Sequence, residues 1–464
     1  MDLVNTLWNF CHTLRHEGVD YSDYIEELTY LLFLKIAEER GIEIPEGCTW
    51  NDLTELGHEE LLNGYNNILL TLSNQPNILG DIFRQPIAKI RSSNALKKLL
   101  KHIDGINWSE INEDVMGSTF EGLLEKAASE SKKGAGQYFT PRPLIECIVS
   151  VMKPDPFETS DFNISDVACG TSGFIISSFE WFKKGHGVKK LSESKKNKLF
   201  QETYYGQELV VRPRRMAQMN LYLHGINPAN IKLGDTIYED LDNRRFSCIL
   251  TNPPFGNRGA NEIPSREDFL IKTSNKQLNF VQHIFSCLKD TGRAAIVLPD
   301  NVLFEEKATE VWRNLMNSCN LHTILKLPNG TFAPYAQGVK ANVIFLQKGS
   351  PTTETWIYDA RFGTEGVTKI DRPLTNDHFQ DFITSFGTEP NGNDKNRTVG
   401  PRFRKFTIAE IEANGYKLDF SWLKGKNPYE SYQENTIEDV LNDAIANVQS
   451  MLKDLKSVLK SIEE

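Results

Sequence analysis

Two textures of hydrophobic spacing divide this chain. In "DYIEELTYLLFLKIAEERG" (residues 23–41), Ile25, Leu28, Leu32 and Ile36 recur at helical intervals, and Gly41 stands where such a helix would stop. The stripe reads as a core-facing helix side, and "DVMGSTFEGLLEKAASE" (114–130) as a later helix. From residue 131 the runs shorten to strand length: "NISDVACG", "TYYGQELV", "ANIKLGD", "FSCILTNPP", "RAAIVLPD", "LHTILKLP" and "ANVIFLQKG". Strands alternating with helical patterns predict an α/β, Rossmann-like domain around a mostly parallel sheet. The expected division is a helical domain over 1–130, the α/β domain over 131–425, and a tail over 426–464. In the tail, Leu441, Ile445, Val448, Leu452, Leu455, Leu459 and Ile462 alternate spacings of four and three, a heptad seam on a long C-terminal helix. Such a seam needs a partner surface, on this chain or on another subunit. "TEPNGNDKNRTVGPR" (388–402) reads as an exposed loop.

Sheets of this kind bind ligands beyond the carboxyl ends of their strands, so the polar residues ending the apolar runs are the candidates. Asp166 closes one run, and Gly170, Thr171, Ser172 and Gly173 lead into a helix, where glycines let backbone N–H groups approach a ligand. The spacing is not G-x-G-x-x-G, and alone this is equally an ordinary tight turn. Glu208 ends the next run, where a carboxylate accepts ribose hydroxyls, and Asp235 a third, where one could accept from an adenine amino group. Each alone is a surface acid; three in successive βα units describe a pocket for an adenosine-containing cofactor.

"CILTNPPFGN" (248–257) adds a second chemistry. Prolines fix φ and lack a donor, so Asn252-Pro253-Pro254 is a stiff ledge with free carbonyls. The Asn252 side-chain oxygen and the Pro253 carbonyl can take both hydrogens of an exocyclic amino group, and Phe255 can stack on its ring. The bland alternative is a Pro-Pro loop beside a core phenylalanine.

Composition limits the rest. Hydrophobic residues are 39% and charged residues 25% of 464, enough for a large core. There is no apolar run long enough to span a membrane. The seven scattered cysteines suit reduced thiols in a cytoplasm. A net charge of −10 argues against gripping nucleic acid unaided. The basic clusters Lys132-Lys133, Arg212/Arg214/Arg215 and Arg244-Arg245 read as solvated faces, the first two placed where they could touch phosphates. His283 and His322 read as satisfied histidines with no role.

On these motifs the chain resembles the S-adenosylmethionine-dependent amino-group DNA methyltransferases, and within them the modification (M) subunits of type I restriction–modification systems. "GAGQYFTPRPLIE" (134–146), "TSNKQLNFVQHIF", "GRAAIVLPDNVLFE" and "YAQGVKANVIFLQKG" resemble further blocks of that family in the same order. It departs mildly at Val167, Cys169 and Ser172, where proline and small residues are common in the family. The resemblance implies that Tyr138, Phe139, Thr140 and Pro141 cover the methionine end of S-adenosylmethionine. It makes Asp166, Gly170, Thr171, Ser172 and Gly173 the main cofactor loop, with Glu208 at the ribose and Asp235 at the adenine. Asn252, Pro253, Pro254 and Phe255 would bind an adenine flipped out of double-stranded DNA, with no metal required. Implied partners are a specificity (S) subunit, a second M subunit and a motor/nuclease (R) subunit, with the tail holding the specificity subunit. Competing readings are a stand-alone adenine methyltransferase, a nucleotide-dependent oxidoreductase, a non-catalytic scaffold, and a methyltransferase acting on protein glutamine or RNA.

Overall fold

A computed structural model describes residues 3–15, 18–130, 140–227, 229–255, 262–333, 339–362, 366–368 and 372–423. Tyr138, Phe139, Lys132-Lys133 and the heptad tail lie outside the described residues.

The first part is helical. The stripe around Ile25 forms the helix Tyr21–Glu39, whose start is capped by the Asp20 carboxylate accepting from the Asp23 N–H at 2.8 Å. The second predicted helix runs Glu113–Glu130. Ile25, Leu28, Leu32 and Ile36 are buried in one apolar core with Leu61, Leu72, Leu96 and Phe120.

Nine strands follow: β1 (Ile164–Asp166), β2 (Tyr204–Glu208), β3 (Asn230–Leu233), β4 (Phe246–Thr251), β5 (Leu288–Pro299), β6 (Cys319–Lys326), β7 (Ala341–Lys348), β8 (Glu354–Asp359) and β9 (Phe403–Thr407). All seven predicted runs are strands. They form one sheet in the order β3-β2-β1-β4-β5-β7-β6-β8-β9. β1 to β5 are parallel, whereas β7 and β9 run antiparallel to their neighbours. The sheet is therefore mixed, with two strands that hydrophobic spacing did not announce. β9 sits at the edge with only Phe403 buried, so it carries no apolar run. Two apolar cores cover the sheet's two faces.

Strand order reverses at β1, which has β2 on one side and β4 on the other. The carboxyl ends of β1 and β4 thus frame the crevice where an open α/β sheet takes its ligand.

The helical part docks on the sheet part through the helix Val211–Leu223, which follows β2 and lends Met216, Met219, Tyr222 and Leu223 to the helical core. Here the structure corrects the sequence reading of Arg212, Arg214 and Arg215, which form no solvated basic face. Arg215, 1% exposed, pairs with the buried Glu26 and donates to the carbonyls of Ile82 and Arg84. Arg214 donates to Asp81 at 2.7 Å and to the Ile231 carbonyl at 2.8 Å, while Arg212 pairs with Asp23 and Glu26. The three cations are spent on joining the two parts. By contrast, Arg244 is exposed and Arg245 half-buried, with Arg244 lying over the Tyr205 ring.

Candidate active site at the tips of β1 and β4

Asp166 is the last residue of β1 and Thr251 the last of β4, and Thr251 Oγ1 donates to Asp166 Oδ1 at 2.6 Å. This bond places the cofactor-type loop and the Asn-Pro-Pro ledge side by side. Asp166 also accepts from the Ala168 N–H at 3.1 Å. It is 2% exposed, and burial pushes its carboxyl up to about 7 against the pull of those two donors. Folding therefore takes up a proton between the ordinary carboxylate range and pH 7. This contribution to stability is complete below about pH 4 and lost as pH rises through about 7. Asp166→Asn should flatten that slope, gaining on the parent at pH 8 by up to an order of 4 kcal/mol and by nothing at pH 4. Thermal melts of both proteins across that range read it.

Between β1 and the helix Gly173–His186 the backbone turns sharply. Gly170 (φ +52°) and Ser172 (φ +68°) are left-handed, and a Cβ on Gly173 would meet Ile145 Cδ1 at 2.9 Å. Bonds from outside hold this loop, among them Asn220 Nδ2 to the Thr171 carbonyl at 3.0 Å, Thr236 Oγ1 to the Val167 carbonyl at 2.7 Å, and the Cys169 N–H to the Gln207 carbonyl at 3.0 Å. Ser172 is buried behind it.

Glu208, ending β2, accepts from the Gly170 N–H at 3.0 Å and the Val210 N–H at 2.9 Å. Burial raises its carboxyl above the ordinary value, those N–H groups opposing. It reaches the same loop as Asp166. Asp235, beyond β3, is half-buried and accepts from the N–H groups of Ile237 at 2.9 Å and Tyr238 at 3.1 Å, so it shapes its own turn.

Asn252 is the first residue past β4. Its Nδ2 donates to Thr140 Oγ1 at 2.8 Å, and its Oδ1 is buried with no hydrogen-bond partner. Buried polar atoms are almost always paired, so an orphan acceptor at a strand tip marks a place for a donor. Thr140 was expected at the cofactor; here it orients the amide, and Pro141 begins the turn into the helix Arg142–Met152. Pro253 is buried and Pro254 exposed, and the Pro254 carbonyl accepts from Gln277 Nε2 at 3.3 Å. Phe255 does not stand open: it is 7% exposed, edge to face with Phe332 at 5.4 Å between ring centres. An apolar ring beside another buries itself in this way.

Sequence reasoning missed Thr251, Thr236, Gln277 and Phe332. Thr251 immediately precedes the ledge, and Gln277 lies in the quoted "TSNKQLNFVQHIF" block, but nothing in either string tells which atom it meets. His283 is satisfied, with Nδ1 at 3.2 Å from Arg266 Nη2 and the ring against Cys287 Sγ.

Known proteins extend this geometry. The family profile for N-6 DNA methylase matches residues 111–430, and that for the HsdM N-terminal domain matches residues 3–41. The type I restriction enzyme StySJI methylase subunit of Salmonella typhimurium is 36% identical over 99% of this chain and 95% of its own length. The EcoKI methylase subunit of Escherichia coli K12 is 35% identical over the same shares. Among solved structures, the EcoKI M protein aligns with a TM-score of 0.58 at 33% identity, covering 100% of this chain and 97% of that one. A chain from a structural study of complex assembly in the type I R-M system aligns with a TM-score of 0.77 at 25% identity, covering 99% and 98%. The chain belongs to the N-6 DNA methylase family, among the methylase subunits of type I restriction enzymes, and is a DNA methyltransferase.

Proposed function

We propose that the chain transfers a methyl group from S-adenosylmethionine to N6 of an adenine flipped out of double-stranded DNA. The observation that carries this reading is the buried, unpaired Asn252 Oδ1 at the switch point, one strand from the Asp166 loop. The residues fit the cofactor. Asp166, Gly170, Thr171, Ser172 and Gly173 make a tight glycine-turned loop, Glu208 reaches it from β2, and Asp235 stands just past the end of β3. Tyr138 and Phe139 are proposed, with Thr140 and Pro141, for the methionine end. When bound, S-adenosylmethionine supplies a sulfonium-activated methyl carbon whose leaving thioether is neutral. No strong base is then needed, and the chain's work is alignment and desolvation.

Asn252 Oδ1 and the Pro253 carbonyl accept the two amino hydrogens, which directs the nitrogen lone pair out of the ring plane. With S-adenosylmethionine held by the Asp166–Gly173 loop, Glu208 and Asp235, N6 so aligned would take the methyl group that the cofactor supplies, with the thioether departing neutral and the surplus amino proton passing to solvent. Phe255 stacks on the base, which requires the contact with Phe332 to open. Phe255→Ala should weaken binding of a duplex containing an abasic site opposite the target by roughly 5–100-fold, the loss of one stacking contact. S-adenosylmethionine affinity should stay within twofold; a larger fall there would remove Phe255 from the base site.

The acidic balance fits a subunit that meets DNA inside a complex. We place a specificity subunit, a second copy of this chain and a motor/nuclease subunit in that complex. The division at 1–130, 131–425 and 426–464 gives the tail the task of holding the specificity subunit through its heptad seam. Deleting 436–464 should abolish co-purification with that subunit while cofactor binding persists; unimpaired assembly would reject the role.

The direct test of the cofactor is competition by equilibrium dialysis. S-adenosylmethionine should be retained and NADH should not compete. Retention of NADH instead would favour the oxidoreductase reading.

A further inference from the structure

We propose that a second site, at the opposite end of the sheet, binds a small oxyanion. β6 and β8 run in the same direction as β1 and β4, so their amino ends lie at the edge away from the methyl-transfer site. A cavity of about 320 Å³ opens there, lined among others by Asn320, His322, Glu354, Trp356, Lys395 and Arg397. That volume is at the lower end of the range for small-molecule pockets.

Its back wall is built by a bulge. In the β6–β7 ladder the register jumps between Leu321 and Thr323, which leaves His322 as the extra residue. The bulge turns His322 onto the face that holds Phe345 and Phe386, with ring centres 6.4 and 5.9 Å away. The segment 388–402, expected as an exposed loop, closes over it. Gly392 packs on the imidazole so tightly that a Cβ would lie 2.3 Å from its ring, and Arg397 reaches in to 9% exposure.

Two buried polar atoms here have no partner: His322 Nε2 and Arg397 Nη2. The wiring behind them fixes what they want. Arg397 Nη1 donates to Thr323 Oγ1 at 2.9 Å, and a guanidinium can only donate. The threonine hydroxyl accepts there, and the one acceptor that its own hydrogen meets among the described residues is His322 Nδ1, also 2.9 Å away, so it donates to that nitrogen. A neutral imidazole accepting at Nδ1 carries its proton on Nε2. Burial, with the Arg397 charge beside it, keeps His322 neutral. Both orphans are thus donors, and both ask for acceptor oxygens.

The charges agree. Arg397 has no carboxylate within ion-pair distance among the described residues, and burial lowers its guanidinium to about 10, the signature of a cation short of a counter-charge. Lys395 on the rim likewise has no ion pair among the described residues. The two nearby carboxylates are occupied. Asp394 accepts from the Thr388 N–H at 2.7 Å, from Thr388 Oγ1 and from the Asn396 N–H, and Glu354 pairs with Lys405 at 3.0 Å and accepts from Trp356 Nε1. What remains unspent is two buried donors and one ammonium. A phosphate or a carboxylate satisfies all three, whether free or carried on a small organic body.

The test uses the full-length chain and two probes, inorganic phosphate and succinate, titrated by calorimetry. One or both should bind saturably at millimolar affinity or tighter, and the stronger of the two names the ligand class. Lys395→Ala, a surface change, should weaken that binding at least threefold, and Arg397→Gln should abolish it. Tungstate diffused into crystals should sit within hydrogen-bond distance of His322 Nε2 and Arg397 Nη2. S-adenosylmethionine affinity should be unchanged by Lys395→Ala, so the outcome is independent of the proposed methyl-transfer chemistry. No saturable binding of either probe, binding untouched by Lys395→Ala, or tungstate lodged only elsewhere would overturn the site. Should Arg397→Gln fail to fold, the lysine variant and the tungstate position decide alone.

Discussion

Asn252→Ala should cut methyl transfer at least 10²–10³-fold while S-adenosylmethionine affinity changes less than twofold. The scale is that of deleting one preorganised polar group that acts on the reacting atom. The reason lies in the wiring of a single amide. Nδ2 is fixed by Thr140 Oγ1 at 2.8 Å, so Oδ1 cannot turn away, and it is buried without a partner. Its desolvation cost is already met in the folded protein, and an incoming amino group recovers it. The cofactor loop is held by Asn220, Thr236 and Gln207, not by Asn252, so its geometry should survive. Asn252→Asp keeps an acceptor and should retain more activity than alanine. Single-turnover transfer to a duplex, measured beside cofactor binding on the same preparation, separates the two effects. A parallel loss of both would mean that Asn252 shapes the cofactor pocket.

The second large effect is expected far from the chemistry. Arg215→Ala should destabilise the chain by about 2–4 kcal/mol, because it removes one of the two cations paired with the buried Glu26 and leaves the carbonyls of Ile82 and Arg84 without their donor inside the interface. Urea titration of the single variant and of Arg215→Met with Glu26→Gln reads it. The double variant should recover much of the loss, since it leaves no unpaired buried charge. Arg215 also sits on the helix that leaves β2 just beyond Glu208, so the single variant should weaken cofactor binding as well as stability. A loss under about 1 kcal/mol would show that apolar packing alone holds the helical part in place.

Which features could be read from sequence follows from the range of the forces involved. Apolar runs of strand length ending in Asp166, Glu208, Asp235 and Asn252 are local signals, and parallel topology places all their ends on one edge. The loop from Gly170 to Gly173 and the Asn-Pro-Pro ledge are likewise local backbone chemistry. What stayed hidden is pairing over distance. Asn252 meets Thr140 across 112 positions and Asp166 meets Thr251 across 85. The arginine cluster looked like solvent-facing charge because its carboxylate partners lie 133 to 189 residues earlier. The residues 388–402 are the exposed loop that their composition predicts, but composition does not reveal that Arg397 and Gly392 fold inward onto a bulged histidine. β9 carries too little apolar surface to announce itself.

The central claim is that the ledge presents an adenine amino group to an activated methyl carbon. The most direct measurement is nucleoside mass spectrometry of duplex DNA treated with the chain, its specificity subunit and deuteromethyl-labelled S-adenosylmethionine. N6-deuteromethyl-deoxyadenosine as the labelled product, lost on Asn252→Ala, is the expected result. Label on a cytosine, or on adenine undiminished by Asn252→Ala, would contradict the account.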